Sequence, residues 1–223
     1  GPSLFDSDDA EREFLRSALR RYYGASDHRR RAQLFNDITN NVRRQLYAKN
    51  ITLPTGIDPS ENSLFFLWHT WFADIFEKGG FDIVIGNPPY IRLQNNGGYL
   101  AKLYDKSKFE SFARTGDIYC LFYEQGWRLL KNNGHLCYIT SNKWMRTGYG
   151  ESLRRFLCTR TNPMLLLDFA GIQVFDATVD SNILLFSKDI NRHNLRAVSC
   201  AKRDKTILNN LSDFVQQNAS ILS

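Results

Sequence analysis

One short segment combines hydrogen-bond acceptors with a flat aromatic ring in a way that could grip an amino group. Asn87 contributes a side-chain carbonyl oxygen, and Pro88 and Pro89 fix the backbone while removing two N–H donors. The backbone carbonyls of this rigid frame are therefore free to accept hydrogen bonds. Tyr90 adds a face suited to stacking on a planar ring. The segment predicts a site that holds an –NH2 group beside a stacked ring.

The residues before this segment predict where it lies in the fold. Residues 81–85 form a β-branched apolar run typical of a strand buried in a parallel sheet, and Gly86 makes the turn after it. In open α/β sheets, ligand sites gather at the carboxyl ends of the strands. We therefore expect Asn87 to leave the sheet at its ligand-binding edge.

Downstream of this segment, strand and helix patterns alternate, which predicts an α/β chain with a mostly parallel sheet. A long polar loop is expected over residues 91–116, and a helix over 117–132, ending before Gly134. The further elements that we predict are a strand over 136–140, a helix over 149–158, and strands over 164–169 and 181–187.

The N-terminal part has a different pattern. Apolar residues recur at helical spacing in two stretches of residues 1–50, which predicts a helical hairpin, and a loop follows within residues 50–62. An aromatic cluster between Phe65 and Phe76 fits a short helix or turn packed onto a sheet, but plain core packing is the favoured interpretation. We divide the chain into a helical segment with its loop (1–62), a catalytic part (63–190) and a C-terminal extension (191–223).

Composition restricts the class of protein. Hydrophobic residues make up 43% of the 223 residues and charged residues 23%, as in globular domains, and no apolar run is long enough to span a bilayer. The formal charge of +6 favours a polyanionic partner. The four cysteines lack any CxxC pair and the four histidines are scattered, so we predict free thiols, a cytoplasmic location and no metal site.

The Asn87–Tyr90 segment and its flanks resemble the amino-group methyltransferases that use S-adenosylmethionine, and most closely the adenine-specific (N6) DNA methyltransferases with an NPPY motif. Residues 75–91 are similar to the methyltransferase part of type IIG restriction-modification and related phage-defence enzymes. Three later stretches resemble the motifs that follow in that family, namely GDIYCLF at 116–122, GHLCYITS at 134–141, and VFDA at 174–177 with NILLF at 182–186. The resemblance covers residues 64–190 and implies part of a Rossmann-like methyltransferase sheet, from the NPPY strand onward, beside an N-terminal helical segment.

The resemblance implies a role for each site residue. The side-chain oxygen of Asn87 and the Pro88 carbonyl would accept hydrogen bonds from the adenine amino group, with Pro89 completing the frame. Tyr90 would stack on the adenine after it leaves the double-stranded DNA, and Phe175 would contact its other side. Phe122 would line the pocket for S-adenosylmethionine. No covalent intermediate is needed.

Two expected features of the family have no match in the sequence. Residues 1–80 contain no glycine-rich turn for the cofactor, and no target-recognition domain follows residue 190. We therefore expect a fragment with an incomplete cofactor site, inactive alone, in which one sheet edge stays exposed and favours self-association unless the residue 1–50 helices mask it.

Two other functions fit the same residues. A related enzyme could methylate a glutamine amide in protein, or an amino group in RNA, with the same acceptors. A remnant that binds nucleic acid without catalysis is the second alternative.

Overall fold

A computed structural model describes residues 9–48, 68–105, 109–176, 179–201 and 204–222. The chain divides into two compact units, residues 1–78 and 79–223, and each is described by itself. This division falls after Lys78, whereas our division by function falls after residue 62 and remains a prediction. The loop predicted within residues 50–62, with Phe65 and Phe66 of the aromatic cluster, lies outside the described residues.

The described part of the first unit consists of helices, as predicted. The long helices are α1 (Asp9–Gly24) and α2 (His28–Ala48), and two single turns follow, α3 (Trp68–Trp71) and α4 (Ala73–Phe76). The Asp27 carboxylate accepts the Arg30 backbone N–H at 2.7 Å and so caps the start of α2. The apolar side chains of α1 and α2 meet in a core that contains Leu15, Leu19, Ile38 and Val42.

The described part of the aromatic cluster belongs to a core, as favoured, and not to a surface packed onto a sheet. Trp71 packs into the core of α1 and α2. It is 6% exposed and stacks on Phe35 with ring centroids 5.3 Å apart. Aromatic spacing indicates burial but does not say which apolar surface covers the ring.

The second unit is built on a six-stranded sheet with the order β1-β2-β4-β3-β5-β6. The strands are β1 (Phe81–Gly86), β2 (Leu130–Ser141), β3 (Asn162–Asp168), β4 (Ser181–Ser187), β5 (Arg196–Ser199) and β6 (Ser220–Ile221). The pairs β1–β2 and β3–β5 are parallel, and the other three pairs are antiparallel. Four strands therefore share one direction, with β4 and β6 reversed. The α/β class is confirmed, but the sheet is mixed rather than mostly parallel, since three of its five strand pairs are antiparallel.

The helices of the second unit pack on both faces of the sheet. They are α5 (Asn95–Asp105), α6 (Tyr119–Leu129), α7 (Glu151–Arg160) and α8 (Leu211–Asn218). One face of the sheet packs on α6 and α7 through a core that includes Tyr123, Leu136, Phe156 and Phe186. Part of the opposite face packs on α8.

The structure corrects two boundaries between residues 91 and 136. The predicted polar loop contains α5, whose Ala101 packs beside Leu121 of α6; residues 96–98 of this segment have left-handed backbone angles. The helix predicted to reach Asn132 ends at Leu129. The backbone of Asn133 and Gly134 pairs instead with Lys188, next to the end of β4, which draws this stretch into the sheet.

The strand that leads into the predicted site lies at the sheet edge. Among the described residues β1 pairs only with β2, and Ile83 and Ile85 are 61% and 77% exposed. No helix within the described ranges is long and apolar enough to cross a membrane.

Candidate active site

The Asn87–Tyr90 segment begins where β1 ends, as predicted. Asn87 and Pro89 are exposed, whereas Pro88 is buried. Gly86 allows this arrangement because a Cβ at that position would lie 3.0 Å from the Tyr138 ring. The acceptor side chain of Asn87 therefore faces solvent at the end of the strand, on a backbone anchored by the residue that follows it.

Tyr90 lies across the edge of the sheet toward the start of β4. Its ring is half-buried and meets the Tyr119 ring edge-on, with centroids 5.9 Å apart. Burial raises the pKa of Tyr90, and the neighbouring Ser181 side chain acts in the opposite direction. The Tyr90 hydroxyl oxygen is buried, and no described residue meets the geometric criteria for a hydrogen bond to it. The Tyr90 ring thus has packing contacts on one side and a polar end near Ser181.

The chain that leaves Tyr90 is tied to the start of α6. The Ile118 N–H donates to the Ile91 carbonyl and the Leu93 N–H donates to the Gly116 carbonyl, both at 2.9 Å. Arg92 and Asp117 face each other in this short antiparallel bridge. The beginning of α6 is therefore held beside the Asn87–Tyr90 segment.

A chain of three polar groups reinforces this junction. The Tyr149 hydroxyl donates to the Asp117 carboxylate at 2.9 Å and lies 2.8 Å from the Tyr119 hydroxyl. Because Tyr149 uses its own hydrogen on Asp117, Tyr119 is the donor between the two tyrosines. Burial is the largest cause that raises the pKa of Tyr119, and it also raises the pKa of Tyr149 to about 12. Both phenols therefore stay protonated near neutral pH.

A second buried polar cluster joins the end of β2 to the start of β4. The Asn182 side-chain oxygen accepts from the Thr140 hydroxyl and from the Trp144 indole N–H, each at 3.1 Å. The Tyr123 hydroxyl is hydrogen-bonded to the Thr140 hydroxyl, with the two oxygens 3.0 Å apart. The Asn142 side-chain amide donates to the Asp168 carboxylate at 2.9 Å. These contacts fix the loop that follows β2.

The two other predicted site residues are on the same unit but do not contact the Tyr90 ring. Phe122 lies on α6 and is 37% exposed, and Phe175 is half-buried in the connection from β3 to β4. Among the described residues, neither makes a ring contact with Tyr90. Their predicted roles in cofactor binding and base contact remain predictions.

Sequence reasoning missed the residues that support the segment. Asp117 lies inside the GDIYCLF stretch at 116–122, but its pairing with Tyr149 depends on the fold. A signal was present for the second cluster, because polar residues stand at the end of a predicted strand (Thr140) and at the start of another (Asn182). Within the described ranges, no group of three or more potential metal-ligating side chains is found.

Comparison with known proteins identifies close sequence relatives. The family model "Eco57I restriction-modification methylase" matches residues 9–175. The chain is 33% identical over 116 residues to the type II restriction enzyme and methyltransferase RM.Eco57I of Escherichia coli. The match covers 51% of this chain and 12% of that protein. It is 26% identical over 151 residues to the type II methyltransferase M.BstVI of Geobacillus stearothermophilus. This second match covers 66% of this chain and 27% of that protein.

Solved structures agree with the fold. A crystal structure from Vibrio vulnificus, described as a modification subunit of a type I restriction enzyme, superposes with a TM-score of 0.50 at 19% identity. The match covers 81% of this chain and 40% of the other. The chain spans about an eighth to a quarter of the length of the two curated relatives above. Since the family model matches most of the residues, from the helical unit to the connection before β4, the chain belongs to the Eco57I restriction-modification methylase family.

Proposed function

We propose that this chain carries the catalytic segment of a DNA methyltransferase that transfers a methyl group from S-adenosylmethionine to the N6 amino group of adenine. The observation that carries the proposal is the exposed Asn87 at the end of β1, followed by the buried Pro88 and the half-buried Tyr90. An exposed acceptor beside an aromatic ring, at the carboxyl edge of the sheet, suits an aromatic amine as substrate.

Asn87 and Pro88 orient the amino nitrogen in this proposal. The Asn87 side-chain oxygen and the Pro88 carbonyl each accept one N–H hydrogen. This arrangement keeps the nitrogen lone pair directed out of the ring plane, where the methyl group is delivered. Catalysis then comes from positioning rather than from a covalent intermediate, and removing one such acceptor typically costs about a hundredfold or more in rate.

Tyr90 and Phe175 hold the base. The adenine amino group is paired inside a duplex, so the nucleotide must leave the stack before it can reach Asn87. The Tyr90 ring is kept in place by its edge-on contact with Tyr119, and this support favours stacking on the base. Phe175 would contact the opposite face of the base.

Phe122 is the residue that fits the cofactor. Its exposed ring on α6 offers a stacking surface, and the start of α6 is bound to the chain that leaves Tyr90. S-adenosylmethionine supplies the methyl group from its sulfonium. The remaining polar contacts to the cofactor's amino-acid and ribose parts would come from outside the described residues, so we propose that the cofactor site in this chain is incomplete.

The biological setting that we propose is a restriction-modification or phage-defence system acting on double-stranded DNA in the cytoplasm. Family membership and the names of the relatives support the first part. The four cysteines are free thiols, which suits a reducing compartment.

Methyl transfer with a labelled cofactor tests the proposal. The full-length protein that contains this chain is incubated with duplex DNA, RNA and protein extract, and the modified nucleosides are identified by mass spectrometry. We expect N6-methyladenine in DNA. A duplex in which purine replaces adenine lacks the amino group and serves as the matched control. Label confined to RNA, to glutamine or to cytosine would contradict the proposal.

A further inference from the structure

The loop that follows β2 has a fixed shape. Residues 142–150 form two short 3-10 turns, and the Arg154 guanidinium donates to the carbonyls of Trp144 (2.5 Å) and Thr147 (3.1 Å). At the start of the loop, the Trp144 indole donates to Asn182. The loop is therefore held from α7 on one side and from β4 on the other.

Gly150 allows the loop to close tightly. A Cβ at this position would lie 1.9 Å from the Trp144 carbonyl oxygen, so only glycine fits. Within the loop, the Thr147 hydroxyl donates to the Lys143 carbonyl at 2.9 Å. The backbone of Lys143 is thus fixed while its side chain remains outside.

Two exposed cations project from this rigid frame. Lys143 and Arg146 are exposed, and neither side chain has an ion-pair or hydrogen-bond partner among the described residues. Some cations of the same unit are paired instead, for example Lys131 with Asp82 and Arg160 with Glu110. A fixed loop that presents unpaired cations is suited to binding an anion.

These cations stand on the same edge of the sheet as Asn87. Because β1 and β2 are parallel neighbours, their carboxyl ends meet at one edge; the first leads into Asn87 and the second into Lys143. Arg92, also exposed, follows Tyr90 by two residues, and its backbone is fixed by the bridge to Asp117. The neighbouring Asp117 carboxylate is 8% exposed and engaged by Tyr149, so it faces inward.

We propose that Lys143 and Arg146, together with Arg92, bind DNA phosphates next to the nucleotide that enters the Asn87 site. This inference rests on the proposed function and adds the residues that dock the DNA backbone. Phosphate contacts fix the register of a protein on a duplex, and a rigid loop beside the site would hold the backbone on either side of an extruded nucleotide. These contacts carry no sequence information, so they act on every DNA sequence alike.

The salt dependence of DNA binding tests the proposal. Each phosphate contact contributes about −0.9 to the slope of log K against log salt concentration. In the full-length protein, Lys143→Gln and Arg146→Gln should each make the slope less negative by about 0.9. A slope difference of about 0.9 changes the affinity by a factor of about eight for each tenfold change in salt concentration. Counted from equal affinities at about 1 M salt, each variant should therefore bind about eightfold more weakly at about 0.1 M. Fluorescence anisotropy with a labelled duplex measures both quantities, and the loss should be equal for recognised and unrelated sequences.

Lys131→Gln is the matched control, because it removes the same charge near the start of β2, at the far edge of the sheet. It should leave the slope unchanged. If the two loop variants keep the slope of the unsubstituted protein while DNA binding and methyl transfer persist, the phosphate contacts are wrong and the proposed function stands. If the unsubstituted protein neither binds nor methylates DNA, the proposed function fails, and this inference fails with it.

Discussion

Tyr149 donates its hydroxyl hydrogen to the Asp117 carboxylate across 2.9 Å and so connects the loop after β2 to the beginning of α6. The same hydroxyl accepts from Tyr119, whose ring supports Tyr90 edge-on. Three segments that are distant in sequence are joined in this way beside the Asn87–Tyr90 segment. The position of Tyr90 therefore depends on a buried polar network as well as on the strand that precedes it.

Tyr149→Phe should destabilise the protein. The substitution removes the donor to Asp117 and the acceptor for Tyr119, and it leaves both groups with an unmade hydrogen bond. The free energy of unfolding should fall by about 1–3 kcal/mol, as measured by urea denaturation. Tyr99→Phe, at a tyrosine that is 66% exposed, is the matched control and should change it by less than about 0.5 kcal/mol. Equal effects of the two substitutions would contradict the network.

Asn87→Ala should abolish most of the methyl transfer without unfolding the protein. Asn87 is exposed, so its loss costs little packing, whereas the proposed reaction loses a positioned acceptor. We expect turnover by the full-length protein to fall by at least roughly a hundredfold, with an unchanged unfolding midpoint. Near-normal methylation by this variant would remove Asn87 from the mechanism.

Some elements could be predicted from the sequence and others could not, for identifiable reasons. The strand Ser181–Ser187 was predicted at its observed bounds, because a continuous apolar run between polar residues is distinctive. Its reversed direction could not be predicted, since a strand that is buried on both faces has the same pattern in either direction. In the same way, the aromatic spacing around Trp71 predicted burial in a core but could not identify α1 and α2 as the helices that cover it.

The candidate site shows the same contrast. Asn87 to Tyr90 are contiguous, so residue types alone were enough to predict a chemistry for them, and that chemistry stays a prediction. Asp117 and Tyr149 are 32 residues apart, and nothing in either local pattern indicates the other. Lys143 and Arg146 stand out only once Arg154 and Gly150 are seen to fix the loop that carries them.

Substitutions of Tyr90 should separate the ring from the hydroxyl. The ring is the part proposed to stack on the base, while the hydroxyl is buried near Ser181 without a full hydrogen bond. We expect Tyr90→Ala to weaken capture of the extruded base strongly and Tyr90→Phe to be milder, because the stacking face survives. A fluorescent base analogue at the target position reports extrusion. Equal damage in the two variants would show that the hydroxyl matters instead.

Alkaline pH should destabilise the second unit. Burial raises the pKa of Tyr138 and of Tyr149 to about 12, and it raises the pKa values of Tyr119 and Tyr123 as well. In the unfolded chain tyrosine titrates near pH 10, so above that pH the unfolded state binds fewer protons than the folded state and stability falls. The full stability is present below about pH 10 and is lost progressively toward pH 12.

The tyrosines Tyr119, Tyr123 and Tyr138 are buried. Each should lower the free energy of unfolding by up to about 1.4 kcal/mol per pH unit in that window. The thiol of Cys120, whose pKa burial raises to about 12, should begin to act in the same direction near pH 9. Urea denaturation at pH 8, 10.5 and 11.5 measures the fall. A free energy of unfolding that stays level over this range would show that these phenols ionise in the folded state.

The exposed edge of the sheet should promote self-association. Among the described residues β1 pairs on one side only, and Ile83 and Ile85 project from it with 61% and 77% exposure. An apolar edge strand offers unpaired backbone groups to a second copy, whereas charged side chains on such a strand oppose pairing. We expect the 223-residue chain to show concentration-dependent association in sedimentation velocity, and Ile83→Lys and Ile85→Lys to reduce it.

Ile190→Lys is the matched control, because Ile190 is 83% exposed but lies outside the strands, and it should leave association unchanged. If the unsubstituted chain is monomeric at every concentration, or if Ile190→Lys has the same effect as the strand variants, β1 is not the associating surface.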